Sequence, residues 1–180
     1  MVDGVAAFAA WLGVSLVVLS DGRRGLAAGT ALATIGLAVL AFPAADIAGA
    51  VALFAGGAIA AVRRARSGPE GWSIMPAGST PRLVLCVAAG LLSLWVALAV
   101  MQGGGGAQRF GVMVAIGLGG ARLISSDVGE VVEAALSVLA LALGVVAGLT
   151  PVSPGIWPYL AAALVAAAAS SIPIKATRAA

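Results

Sequence analysis

The chain has 180 residues, of which 62% are hydrophobic and only 9% charged, with a net charge of +3, no histidine and one cysteine. Soluble domains carry roughly 25% charged residues, so this composition excludes a water-clad globule and makes lipid the solvent for most of the surface. Without histidine, the lone Cys86 can build neither an intrachain disulfide nor an ordinary zinc site, and a histidine-based nucleophilic triad is excluded.

In chain order, the first apolar run is 4–20. It lacks a basic leader, and its positive charges, Arg23 and Arg24, follow it. That pattern predicts a retained span with an exported N-terminus. The runs 25–42 and 46–62 come next, joined by "FPAAD". A longer polar loop, 63–82, carries Arg63, Arg64, Arg66 and Arg82. The runs 83–101 and 108–124 flank the glycine turn 103–106, and 131–149 and 156–172 flank "TPVSPGIWP". Each run approaches the ~20 residues that cross a bilayer. The weakest is 108–124, interrupted by Gly117, Gly119, Gly120 and Arg122.

The expected fold class is therefore all-α: a polytopic helix bundle in a single transmembrane domain, 1–180, with about seven spans. Basic loops alternate with short ones, in which Arg109 is the only arginine, and Lys175 and Arg178 end the chain. The positive-inside rule predicts a multi-pass protein of the bacterial cytoplasmic membrane, N-terminus out, loop 63–82 and C-terminus in. Spans two to seven form three hairpins, 25–62, 83–124 and 131–172, recurring at about fifty to fifty-five residues, which suggests duplication of a hairpin unit. Proline suits the corners because it fixes φ and tolerates a first helical turn. Pro158 is expected in the first turn of the last span, with Trp157 and Tyr159 at headgroup depth.

The hairpins "GLAVLAFPAADIAGAVALFAGGAIAAV", "GLLSLWVALAVM…FGVMVAIGLGGARLI" and "LGVVAGLTPVSPGIWPYLAAALVAAAASSI" together resemble the HdeD-like membrane proteins over about 25–172. Those are small six-span proteins of the bacterial inner membrane, associated in enteric bacteria with acid resistance. The chain departs from them in its extra span 4–20 and its glycine corner. The resemblance implies an architecture and no catalytic residues.

Chemistry is sparse. The glycine run 103–106 lacks the following lysine and hydroxyl residue of a phosphate loop, and no cofactor motif is present. Serines in spans, such as Ser93 and Ser137, are expected to bond a carbonyl one turn back. No carboxylate falls at the centre of a span, which argues against an ion-coupled pump. The charged constellation is Arg122, Asp127, Glu130 and Glu133. It is a candidate ion pair or docking site, with Arg122 expected to reach Glu133, or simply an acidic first helical turn. Small residues at Gly25, Gly29, Ala33 and Gly36, and at Gly144 and Gly148, are spaced for close helix packing. The expected function is a non-enzymatic structural, accessory or stress-protective module. A small channel for a neutral solute and an accessory subunit of a larger complex are the alternatives. The expected partners are the bilayer, other membrane subunits or a second copy; the basic clusters carry no interleaved aromatics, so nucleic acid is not expected.

Overall fold

The computed structural model describes residues 1–68, 70–100, 105–148 and 155–171. Six α-helices account for most of them: α1 Val2–Leu19, α2 Arg23–Arg66, α3 Thr80–Trp95, α4 Gly106–Ser125, α5 Gly129–Gly148 and α6 Trp157–Ala169. A π-helical turn, Val96–Val100, extends α3. Alanine and leucine fill these segments and lose little freedom in a helix. A helix also satisfies its own backbone polar groups, the condition that lipid imposes. Four helical stretches are long and apolar enough to cross a membrane: Val2–Leu19, Arg23–Arg66, Thr80–Ala99 and Gly129–Gly148. The chain is thus an all-helical protein compatible with a membrane location.

The expected spans 25–42 and 46–62 are found within the single 44-residue α2. A straight helix of that length would measure about 66 Å, twice a bilayer's hydrocarbon thickness. It does not run straight. Asp46 takes φ 54° and ψ −178°, breaking the helix into a first arm, 23–45, and a second arm, 47–66. The arms return on each other, because a Cβ added at Gly57 would run into the Thr34 side chain. Residues 34 and 57 are nearly equidistant from Asp46, so the two arms form an antiparallel hairpin. Pro43 itself remains helical, and the corner falls three residues later.

Other elements differ from expectation at their ends. The expected span 108–124 corresponds to α4, which is not among the four most membrane-compatible stretches. Its glycines and Arg122 dilute the apolar run. The expected span 156–172 is represented by 13 residues of α6. The residues 101–104, with the first two glycines of the turn 103–106, the residues 149–154 with Pro151 and Pro154, and the C-terminal 172–180 with Lys175 and Arg178 lie outside the described residues.

The core sits among α1, both arms of α2, α4 and α5. Leu26, Leu37, Leu40, Val14, Val17, Val114, Leu118 and Val138 fill it. Small residues set how closely the helices approach. A Cβ at Gly36 would stand 2.5 Å from Ala6 O and Ala10 N, and one at Gly29 would stand 2.8 Å from Gly13 O. Gly29, Ala33 and Gly36 therefore lie directly against α1, backbone to backbone, whereas Gly25 meets the Ser20 side chain and the Trp72 carbonyl of the loop. At the α5–α6 contact, a Cβ at Gly144 would come 2.6 Å from the Ala162 Cβ. The helix α3 is the outlier: 17% of its span is buried, against 44% to 61% for the other three.

Candidate functional site

The charged side chains near the core gather at one end of the bundle, where α1 ends, α2 begins and ends, and α4 meets α5. The assembly starts from the chain itself. After α1, the residues 20–22 turn into α2, and the loop following α2 folds back over that turn. Ser20 and Ile74 form an antiparallel bridge. Asp21 N–H donates to Ser73 O at 3.2 Å, Met75 N–H to Leu19 O at 2.9 Å and Arg24 N–H to Gly71 O at 3.2 Å. Gly22 lets the strand pass, since a Cβ there would stand 2.6 Å from Gly71 O. The expected loop 63–82 is shorter, because α2 continues to Arg66 and α3 starts at Thr80, and its residues 71–75 form a clamp seated on the first turn rather than a free connection.

That clamp aims the side chains. Asp21, on the turn, accepts from Arg122 at the end of α4, and from Arg82 of α3 through both carboxylate oxygens at 3.2 Å. Arg122 is 3% exposed. On the other side of the core, Arg64 of the second α2 arm donates to Glu133 of α5. Arg64 is 3% exposed and Glu133 7%. A fourth pair, Arg23–Glu70 at 2.9 Å, closes the loop at the surface. The bonds of Arg64, Arg82 and Arg122 each join residues more than sixty positions apart, so the ion pairs pin distant elements: the α1–α2 turn to α3 and α4, and α2 to α5.

The expected pairing of Arg122 with Glu133 is not what forms. Both are buried, but they face different neighbours: Arg122 turns toward Asp21 on the α1–α2 turn, and Glu133 toward Arg64. The reason lies in the packing. The α1–α2 turn and the second arm of α2 both approach the α4–α5 corner, and each supplies the charge that Arg122 or Glu133 bonds. Of the remaining constellation, Asp127 is exposed and Glu130 half-buried. Glu130 lies beside the loop, where a Cβ at Gly68 would meet its Cγ at 3.3 Å. Neither joins an ion pair among the described residues.

Three of the residues that make this network, Asp21, Arg64 and Arg82, do not stand out in the sequence. Asp21 is the one carboxylate at the first turn and sits two residues before an arginine pair. That local acid amid basic residues is the signal that could have marked it. Arg64 differs from Arg63 and Arg66 only by facing inward.

The network has more donors than acceptors. Arg64 Nη1 and Arg122 Nε are buried without a partner among the described residues. Elsewhere, three helix hydroxyls are satisfied within the bundle. Thr30 donates to Leu26 O at 2.8 Å, Thr34 to Thr30 O at 2.7 Å, and Ser137 reaches Glu133 O at 2.9 Å and Ala166 O at 3.0 Å. Trp11 Nε1 donates to Cys86 O at 3.1 Å, tying α1 to α3.

The opposite end is different in kind. Gln108 of α4 donates to Leu40 O at 2.9 Å, bracing the last turns before the Asp46 corner. A cavity of about 390 Å³ lies there, lined by Asp3, Leu40, Pro43, Gly105 and Gln108. Pro158 occupies the first turn of α6, and Trp157 is exposed. Tyr159 is 1% exposed, packed against the helices around it. Glycines make its place: a Cβ at Gly49 would stand 2.9 Å from the Tyr159 ring, and one at Gly148 would overlap its hydroxyl. The Tyr159 hydroxyl has no partner among the described residues.

No protein-family model, no curated protein and no solved structure matches the chain.

Proposed function

We propose that the chain is a non-enzymatic integral membrane protein of the bacterial cytoplasmic membrane, acting as a compact structural, accessory or stress-protective module. The observation that carries this reading is the use of its buried charges. Arg64 with Glu133, and Arg122 with Asp21, bind helices to each other at one end. The hydroxyls of Thr30 and Thr34 are turned onto their own helix. The interior between is filled by alanine, valine, leucine and glycine. Such an interior suits close packing more than the passage of a polar solute, and this weighs against a channel. The likeness to HdeD-like proteins points the same way and rests on the hairpin pattern of the sequence.

In this reading the protein crosses the membrane seven times, the two arms of α2 counting separately. Arms of this length span about 30 Å or more. The arginine-rich end is cytoplasmic by the positive-inside rule. Cysteine labelling after Cys86→Ser tests the orientation: a cysteine placed at Gly71 is expected to resist an impermeant reagent applied from outside, and its reaction would reverse the topology.

A second reading, a subunit of a larger membrane complex, is favoured by α3 and the π-helical turn that extends it. Large apolar side chains stay uncovered along this stretch: Val84, Leu91, Leu92, Trp95 and Leu98 all point away from the bundle, each more than 60% exposed. Purification in a mild detergent decides between the two. A self-sufficient module purifies alone as a single species, whereas a subunit brings stoichiometric companions.

A further inference from the structure

We infer that the arginine-rich end carries a binding surface for the phosphate of an anionic phospholipid headgroup, formed by Arg24, Arg63 and Arg66. The proposal rests on the membrane reading given above.

Charge supplies the first argument. Seven arginines meet five carboxylates at this end. Asp21, Glu133 and Glu70 are taken up by Arg122, Arg82, Arg64 and Arg23. Arg24, Arg63 and Arg66 remain, all three exposed. None forms an ion pair among the described residues; Arg63 donates to Ala167 O, at 3.3 Å.

Placement supplies the second. Arg63 and Arg66, three residues apart, share a face of the second α2 arm. The antiparallel register set by Thr34 against Gly57 brings Arg24 level with the end of that arm. The three guanidinium groups therefore start within about one helical turn of each other along the bundle axis. Guanidinium binds phosphate through paired, charge-assisted N–H donors, so the cluster matches a phosphodiester in sign and in donor chemistry.

The third argument is the donor surplus beneath. Arg64 Nη1 and Arg122 Nε are buried donors left over after Glu133 and Asp21 have bonded their partners. The carboxylates of those pairs are thus already committed inward, and Asp127 and Glu130 are the two left to oppose the exposed arginines. An acceptor from outside the chain is what the surface lacks. The end of a membrane bundle where α2 begins and ends is headgroup territory, and an anionic headgroup is the acceptor found there.

The test compares bilayers. Wild-type protein and the Arg24→Gln/Arg63→Gln/Arg66→Gln variant are reconstituted in nanodiscs of phosphatidylcholine alone or with phosphatidylglycerol. Lipid retained after detergent extraction is then counted by native mass spectrometry. Wild type is expected to enrich phosphatidylglycerol, and the variant to lose roughly tenfold or more of that preference, since each basic residue near an anionic surface contributes several-fold in affinity. The variant should keep the wild-type melting temperature in phosphatidylcholine, which separates lost binding from misfolding. Equal enrichment in the variant overturns the proposal. So does displacement of the bound lipid by millimolar inorganic phosphate, which would make the ligand a free anion. Failure of both proteins to enter either bilayer would overturn the membrane reading as well.

Discussion

The two ends of the bundle solve the same problem, holding helices together, by different means. At one end, buried arginines and carboxylates tie residues far apart in sequence, and a short backbone bridge seats the loop on the α1–α2 turn. At the other, glycines admit Tyr159 into the core, a side-chain amide braces a carbonyl, and a strained corner turns the chain. Ion pairs are directional and cannot be half-made: one partner without the other leaves a desolvated charge. Glycine contacts fail by collision instead. The contrast predicts that the charged end breaks by deletion and the glycine end by addition.

The largest effect is expected at Arg64–Glu133. Removing one partner of a buried pair costs about 3–5 kcal/mol, while replacing both by apolar groups of similar volume is often neutral. Glu133→Gln should therefore lower folded yield and melting temperature sharply, and Arg64→Met/Glu133→Leu should recover most of the loss. The same cycle run on Arg122 and Glu133 should give additive effects, because each has its own partner. Strong coupling between Arg122 and Glu133 would show that these two residues pair with each other after all.

Next comes the crowding of the helices. Gly57→Ala drives a methyl into Thr34, and overpacking of this kind costs about 1–3 kcal/mol. Thr34→Ala should relieve part of it, since side-chain atoms make most of the collision. Gly36→Ala, whose Cβ would meet the α1 backbone at 2.5 Å, has no side chain to remove and should resist rescue by any single change in α1. Thermal unfolding in one detergent, with both glycine variants side by side, checks the distinction. If both were tolerated equally, the close approach of α1 to α2 would be refuted.

These residues also show how far the sequence can be read. Composition and apolar runs are enough for an all-helical protein of long apolar helices, because lipid compatibility is written in bulk hydropathy. The ridge Gly25–Gly29–Ala33–Gly36 is visible as spacing, though its partner helix is not. The charged site is legible only by half. Arg122 and Glu133 can be picked out as charges at helix ends, but pairing depends on which distant helix comes nearest, and local spacing does not encode that. The burial of Tyr159 is not legible for a related reason: it depends on space left by Gly49 and Gly148, one in each of two other helices.

A smaller effect, of opposite sign, belongs to the corner. Asp46 holds φ 54° with an extended ψ, a region that is costly for any residue with a Cβ and open to glycine. Asp46→Gly should raise stability by about 1 kcal/mol, less the loss of chain stiffness when unfolded. Asp46→Ala keeps the Cβ and should not share the gain. Equal behaviour of the two variants in thermal unfolding would mean that the carboxylate, rather than the backbone, governs the turn.

The smallest effect should come from Arg23–Glu70, which returns the comparison to the charged end and isolates burial as its cause. The pair has the same chemistry as Arg64–Glu133 and a sound length of 2.9 Å, but Glu70 is 84% exposed and Arg23 24%. Water solvates the carboxylate whether or not the arginine is present, and holding two long side chains together costs entropy, so such pairs contribute about 0–1 kcal/mol. Glu70→Gln should shift the melting temperature by about a degree or two at most, and added salt should remove what difference there is. Arg64–Glu133, shielded by the bundle, should keep its coupling in the same salt. A salt-insensitive loss at Glu70→Gln, comparable to that at Glu133→Gln, would mean that the loop clamp buries its pair when the protein sits in a bilayer, and that the two ion pairs are one structure rather than two.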